Sequence, residues 1–149
     1  MNKKLLFSAL LVIGAIMFFA FVPNAKKANK EGIQFIESNW SKALQEAKKQ
    51  NKLIFLDAYT SWCGPCRMLK QNTFPNKAAG EFFNKNFINV ALDMEQGDGI
   101  AVAEKYQVNA YPTLIIADAD GNMVTYTKGY IDAKQLIEFG KHGISKKVK

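Results

Sequence analysis

The rhythm of apolar and polar positions changes from segment to segment along this chain, and each rhythm predicts an element. Trp40, Ala43, Leu44 and Ala47 recur at three- and four-residue spacing, the signature of a helix reaching about Gln50, with Ser38 or Asn39 available as its cap. Residues 52–59 read as a strand. Leu53, Ile54, Phe55 and Leu56 form a continuous apolar run, as expected where both faces of a strand are covered. Helical character returns over residues 63–74, with Pro65 in the first turn, where a missing N–H is tolerated. Residues 76–85 predict a short extra helix, 87–93 a second buried strand, and 100–106 another helix. Residues 113–117 and 123–128 flank Asp118-Ala119-Asp120-Gly121, a turn-rich tetrapeptide that predicts an antiparallel hairpin. Asp132 and Gln135 have capping-box spacing ahead of Leu136, Ile137 and Phe139, so a helix closes the chain. The order α-β-α-(α)-β-α-β-β-α predicts an α/β fold. Its sheet is mixed, with parallel strands joined through helices and a hairpin at one side.

One segment stands outside this pattern. Leu5 to Val22 is 18 residues without a charge, with Ser8 as its only polar side chain, which is unlike an amphipathic core helix. Its length falls between a signal-peptide core and a full membrane span. Small-x-small cleavage sites are poor: a cut after Ala20 puts Phe18 at the critical position, and one after Ala25 puts Pro23 there. Residues 1–25 are therefore read as a signal peptide or a membrane anchor, 26–32 as a linker, 33–145 as the folded domain and 146–149 as a basic tail. Both readings of the leader send the domain across a membrane.

Composition fits a single packed domain in a chain of 149 residues, 48% hydrophobic and 22% charged. The net charge of +7 raises the question of nucleic acid, and the placement of the charge answers it. Residues 1–30 and 146–149 hold the excess lysines, whereas residues 31–145 carry 12 basic and 13 acidic side chains. A basic binding face needs cations clustered on folded elements, so nucleic acid is not expected as a partner.

Only two cysteines occur, Cys63 and Cys66, in the run Trp62-Cys63-Gly64-Pro65-Cys66. A disulfide scaffold needs more cysteines, and a structural zinc site needs two further ligands, while the only histidine, His142, is remote in sequence and reads as a solvated residue at a helix end. Redox chemistry is the remaining use. A thiolate is the nucleophile of disulfide exchange, and a helix start favours the anion through unpaired N–H groups and the positive end of the helix dipole. The spacing lets Cys63 stand exposed with Cys66 behind it, so Cys63 can attack a partner disulfide and Cys66 can resolve the mixed disulfide. Gly64 and Pro65 supply the strand-to-helix turn. Arg67 either supports the thiolate electrostatically or is simply solvated.

These residues resemble the thioredoxin superfamily from about Ile33 to Gly140. The resemblance is carried by the CGPC run, by Asp57 six residues before it, by Tyr111-Pro112-Thr113 before the hairpin, and by Gly129. It implies a thioredoxin-like three-layer fold. It also implies a cis Pro112 facing the cysteine pair, with the backbone of Tyr111 turned to a substrate chain, Trp62 and Gly129 lining the substrate surface, and Asp57 as a buried acid exchanging a proton with Cys66. A carboxylate inside an apolar strand is costly when ionised, so its pKa is expected to be raised. One departure concerns Asp57: many thioredoxins carry a lysine in the strand after the active-site helix, and residues 87–93 contain none. The stretch from Asn72 to Phe83 is similar instead to envelope thioredoxin-like domains, including the soluble reductase domain of transmembrane thiol–disulfide interchange proteins.

The expectation is a protein-disulfide reductase at work outside the cytosol, periplasmic or membrane-anchored. It uses no cofactor beyond the redox-active Cys63–Cys66 disulfide. Its partners are protein disulfides and an upstream dithiol donor, with the membrane added if the leader stays uncleaved, and the protein is a monomer. A disulfide oxidase or isomerase, or a non-catalytic binding module, are the rival functions.

Overall fold

The structure, a computed structural model, describes residues 31–147. The hydrophobic leader, the linker up to Lys30 and the last two residues of the basic tail lie outside the described residues. Among the described residues no helix is long and apolar enough to cross a membrane.

The elements run β1 (Ile36–Glu37), α1 (Trp40–Gln50), β2 (Leu53–Tyr59), α2 (Gly64–Met68, continued by a π turn over Leu69–Thr73), α3 (Lys77–Asn86), β3 (Phe87–Asp93), α4 (Asp98–Tyr106), β4 (Thr113–Ala117), β5 (Met123–Lys128) and α5 (Ala133–Lys147). They build one five-stranded sheet in the order β1-β3-β2-β4-β5. β3 is parallel to β1 and β2, while β2–β4 and β4–β5 are antiparallel. The predicted mixed sheet with an antiparallel hairpin at one side is therefore present.

Helices cover both faces of the sheet. On one face Ile54, Leu56, Ala58, Val90 and Leu92 pack against Trp40, Ala43 and Ala47 of α1 and Val102 of α4. On the other, Leu53, Phe55, Leu114 and Ile116 pack against Leu69, Phe74, Ala79, Phe83 and Leu136, contributed by the chain from α2 to α3 and by α5. The stretch after the cysteine pair is a packing element. Phe83 stands 4.5 Å from Phe55 and 5.0 Å from Phe87 between ring centroids, and Phe74 lies 5.0 Å from Phe35. Burying rings of this size stabilises the fold by about 1.5–3 kcal/mol each. Gly140 lets α5 approach closely, because a Cβ there would sit 2.6 Å from Phe82 Cε1 and 2.9 Å from Phe83 Cζ.

Local signals set the helix boundaries. Asn39 Oδ1 accepts the Lys42 N–H at 2.8 Å, and Asp98 Oδ2 accepts the Trp40 N–H at 2.8 Å, so α4 helps to cap α1. Asp132 and Gln135 form the reciprocal capping box, at 2.8 and 3.0 Å. Four features differ from the sequence reading. A two-residue strand, β1, extends the sheet, too short to leave a pattern of its own. α4 opens at Asp98 rather than Ile100, with Gly97 at its N-cap and Asp98 in its first turn. The helix expected over 63–74 widens after Met68, where the Phe74 N–H donates to Leu69 O at 2.9 Å and the Thr73 hydroxyl donates to Ile131 O at 2.8 Å. His142 is exposed, within α5 rather than at its end.

Candidate functional site

The cysteine pair lies at the carboxyl end of β2, the central strand, where ligands and chemistry gather in sheets of this kind. Cys63 is the N-cap of α2 and is disulfide-bonded to Cys66, with an S–S distance of 2.08 Å. The Cys66 N–H donates to Cys63 Sγ at 3.2 Å. A helix-start donor thus points at the Cys63 sulfur, an arrangement that favours a thiolate over a thiol. Pro65 falls in the first turn as expected. Gly64 has open space above it, since a Cβ there would meet nothing nearer than Arg67 Nη2 at 3.9 Å. Arg67 is exposed, with its guanidinium 3.5 Å from Ser61 O.

One expectation fails in this oxidised state. Cys63 was expected to stand exposed in front of Cys66, but the two residues are 3% and 2% exposed. The disulfide and the Cys66 N–H hold the Cys63 sulfur against the helix start. The prominent exposed group is its neighbour Trp62, 63% exposed. The indole N–H of Trp62 donates to the Glu95 carboxylate, 3.1 Å from each oxygen, and its ring stands edge-on to Tyr111 with centroids 5.9 Å apart.

That contact sets the Tyr111–Pro112 segment beside Trp62, the residue before Cys63. The Tyr111–Pro112 peptide is cis, as the resemblance implied. Gly129 joins the same corner: its N–H donates to Pro112 O at 2.8 Å. With φ at +86° and open space around a would-be Cβ, Gly129 is required for its backbone conformation rather than for clearance.

Asp57 is fully buried in the middle of β2, in register with Ala91 on one side and Leu114 on the other. It points to the face covered by α2. Neither carboxylate oxygen has a hydrogen-bond partner among the described residues. Burial pushes its pKa from 3.8 up to about 7; the positive charge of Lys70 opposes the rise, and Glu37 adds to it. The positive charge near Asp57 therefore comes from Lys70 in the π turn of α2, four residues beyond Cys66, and not from β3. A cavity of about 280 Å³ reaches Asp57 between Lys70, Phe74, Phe35 and Glu37.

Lys70, Glu37 and Glu95 did not emerge from the sequence. For Lys70 a signal existed, its one-turn spacing from Cys66. Glu37 and Glu95 come from segments distant in sequence and carry no local mark. No group of three or more His, Cys, Asp or Glu side chains able to hold a metal forms among the described residues.

Comparison with known proteins agrees with this geometry. The family model for the thioredoxin-like domain matches residues 40–144. The thiol:disulfide interchange protein DsbD of Yersinia pestis is 26% identical over 142 residues, 91% of this chain but 24% of that protein. An H-type thioredoxin of Fagopyrum esculentum is 38% identical over 77 residues, 52% of this chain and 61% of that protein. The chain thus spans less than two thirds of either relative. Among solved structures, a candidate disulphide-isomerase from Bacteroides thetaiotaomicron shares 38% identity at a TM-score of 0.68, covering 76% of this chain and 94% of that one. The oxidised C-terminal domain of Neisseria meningitidis DsbD, at 18% identity and a TM-score of 0.59, shares the fold. A matched domain spanning most of the chain, wrapped around a disulfide-capable Cys63–Cys66 pair, makes this chain a member of the thioredoxin-like family.

Proposed function

We propose that the protein is a thiol–disulfide oxidoreductase that reduces, or relays electrons to, protein disulfides outside the cytosol. The observation that carries this reading is the Cys63–Cys66 bond at the first turn of α2, with the Cys66 N–H directed at Cys63 Sγ. In the reduced protein the Cys63 thiolate attacks one sulfur of a substrate disulfide. A mixed disulfide forms and the first substrate thiolate leaves, taking a proton from water. Asp57 accepts the proton of the Cys66 thiol, and the Cys66 thiolate attacks Cys63 Sγ. The second substrate thiolate departs, the protein disulfide closes, and two electrons have passed to the substrate. A dithiol donor then restores the pair. Trp62, Tyr111, Pro112 and Gly129 form the surface against which the substrate chain lies.

The Gly-Pro pair between the cysteines supports the reducing direction, as it resembles reducing members of the family. The apolar run from Leu5 to Val22 supports a workplace beyond a membrane. Turnover is tested with insulin and dithiothreitol: wild type is expected to accelerate reduction and Cys63→Ser to fall to background, and equal rates would leave only a binding module. The likeness to the candidate disulphide-isomerase favours isomerisation as a second reading. The potential of the Cys63/Cys66 couple separates the two. A value near about −270 mV supports the reductase, and one of about −180 to −120 mV supports the isomerase or oxidase. Location is tested by protease protection in intact cells; a domain confined to the cytosol would refute export.

A further inference from the structure

Asp57 presents a problem that the cysteine pair does not solve. A carboxylate buried without a hydrogen-bond partner is among the costliest groups a core can hold when ionised, and each turnover of the proposed reaction leaves a proton on it. That proton must reach water before the next cycle. The apolar face of β2 built from Ile54, Leu56 and Ala58 is sealed. On the Asp57 face the cavity provides an opening, and exposed charges stand among its walls: Glu31 on the segment before β1, Glu37 on β1 and Lys70 on the π turn.

Lys70 is held in this position. Its ammonium lies 3.5 Å from the centre of the Tyr59 ring, two residues along β2 from Asp57 and on the same face. The π turn places Lys70 and Phe74 together at the cavity wall, with Phe74 buried and Lys70 exposed. The other charges near Asp57 and Tyr59 are acidic: Glu37 acts on both, and Asp93, paired in register with Tyr59, acts on Tyr59. Arg67, on the same helix, turns to Ser61 O instead. Lys70 is thus the cation that bears on Asp57, opposed by Glu37.

We propose that Lys70 is the positioning residue for proton release from Asp57, and that the cavity it shares with Glu37 is the route by which the proton leaves to water. Lys70 favours the ionised carboxylate and so promotes loss of the proton that Cys66 delivers; Glu37 holds that proton back. The step is a proton transfer only: Asp57 carboxyl to cavity water to solvent, with no change in redox state. This inference rests on the reductase reading, in which Asp57 accepts the Cys66 proton.

The test uses the full chain with Lys70→Met, Lys70→Arg and Glu37→Gln. Lys70 and Glu37 are both exposed, so the variants keep the fold. The Asp57 carboxyl is followed by ¹³C NMR in the oxidised protein, and the pH dependence of Cys66 attack on a preformed mixed disulfide is measured separately. Lys70→Met is expected to raise the Asp57 midpoint by about half a pH unit, Glu37→Gln to lower it, and Lys70→Arg to restore it; the pH profile of Cys66 attack moves the same way. A midpoint unmoved by Lys70→Met, or a rate lowered equally at every pH, would overturn the proposal. The carboxyl titration needs no turnover. A wild type that reduces no disulfide while the midpoints still move in opposite directions supports the Lys70–Asp57 coupling and counts against the reductase reading alone.

Discussion

The two faces of β2 are built from one strand and do opposite things. Ile54, Leu56 and Ala58 enter a sealed apolar layer with α1 and α4. Leu53, Phe55, Asp57 and Tyr59 face α2, and their layer begins as an aromatic core and ends in a buried acid, a cavity and a lysine. Both faces bury large side chains completely, so packing alone does not distinguish them. The difference is one carboxylate that lacks a hydrogen-bond partner. A core optimised for stability alone would hold a hydrophobic side chain there, so the residue proposed to accept the Cys66 proton stands where this face gives up stability.

Breaking either face tests this view. Phe55→Ala and Leu56→Ala remove fully buried side chains from the two layers, and chemical denaturation is expected to show losses of about 3–5 and 2–5 kcal/mol. Comparable losses would confirm that the faces are equal as packing. Asp57→Asn is expected to separate them. The folded-state pKa is raised to about 7 from 3.8, so the native carboxyl keeps its proton between roughly pH 4 and 7 while the unfolded one loses it. Stability therefore falls as pH rises through that window, by on the order of a few kcal/mol, and levels off above about pH 7. Asp57→Asn removes this slope. Denaturation at pH 5 and pH 8 reads the difference, with the variant gaining on wild type at pH 8, while its insulin turnover falls. Gly129→Ala comes next, at about 1–2 kcal/mol, because alanine must adopt a left-handed backbone beside Pro112. Smallest is Glu95→Ala, expected to change stability by less than about 0.5 kcal/mol at an exposed site. Its effect is read from the fluorescence of Trp62, which loses its acceptor, against buried Trp40 as the unaffected reference.

The sequence made the scaffold legible wherever a periodic apolar pattern ran for more than a turn or a strand's length. α1, β2, β3 and the hairpin follow from such runs, and the caps Asn39 and Asp132 from short-range chemistry. β1 escaped because Ile36–Glu37 carries no period, and the π turn escaped because a single widened turn leaves the apolar spacing nearly unchanged. Asp57 could be picked out as a polar residue inside an apolar strand. Its charged surroundings could not. Glu37 and Lys70 reach it through sheet pairing and helix docking, and these contacts exist only once the chain is folded. The burial of Cys63 is hidden for the same kind of reason: spacing puts the residue at a helix start, but its 3% exposure depends on what the folded chain packs around the disulfide.

The measurement that reaches the central claim most directly is capture of the mixed disulfide. Cys66→Ser protein, reduced and mixed with insulin, is expected to form an adduct through Cys63 that mass spectrometry detects and dithiothreitol releases. A folded Cys66→Ser protein that forms no adduct with insulin would contradict the assignment of Cys63 as the attacking thiol, and with it the oxidoreductase reading.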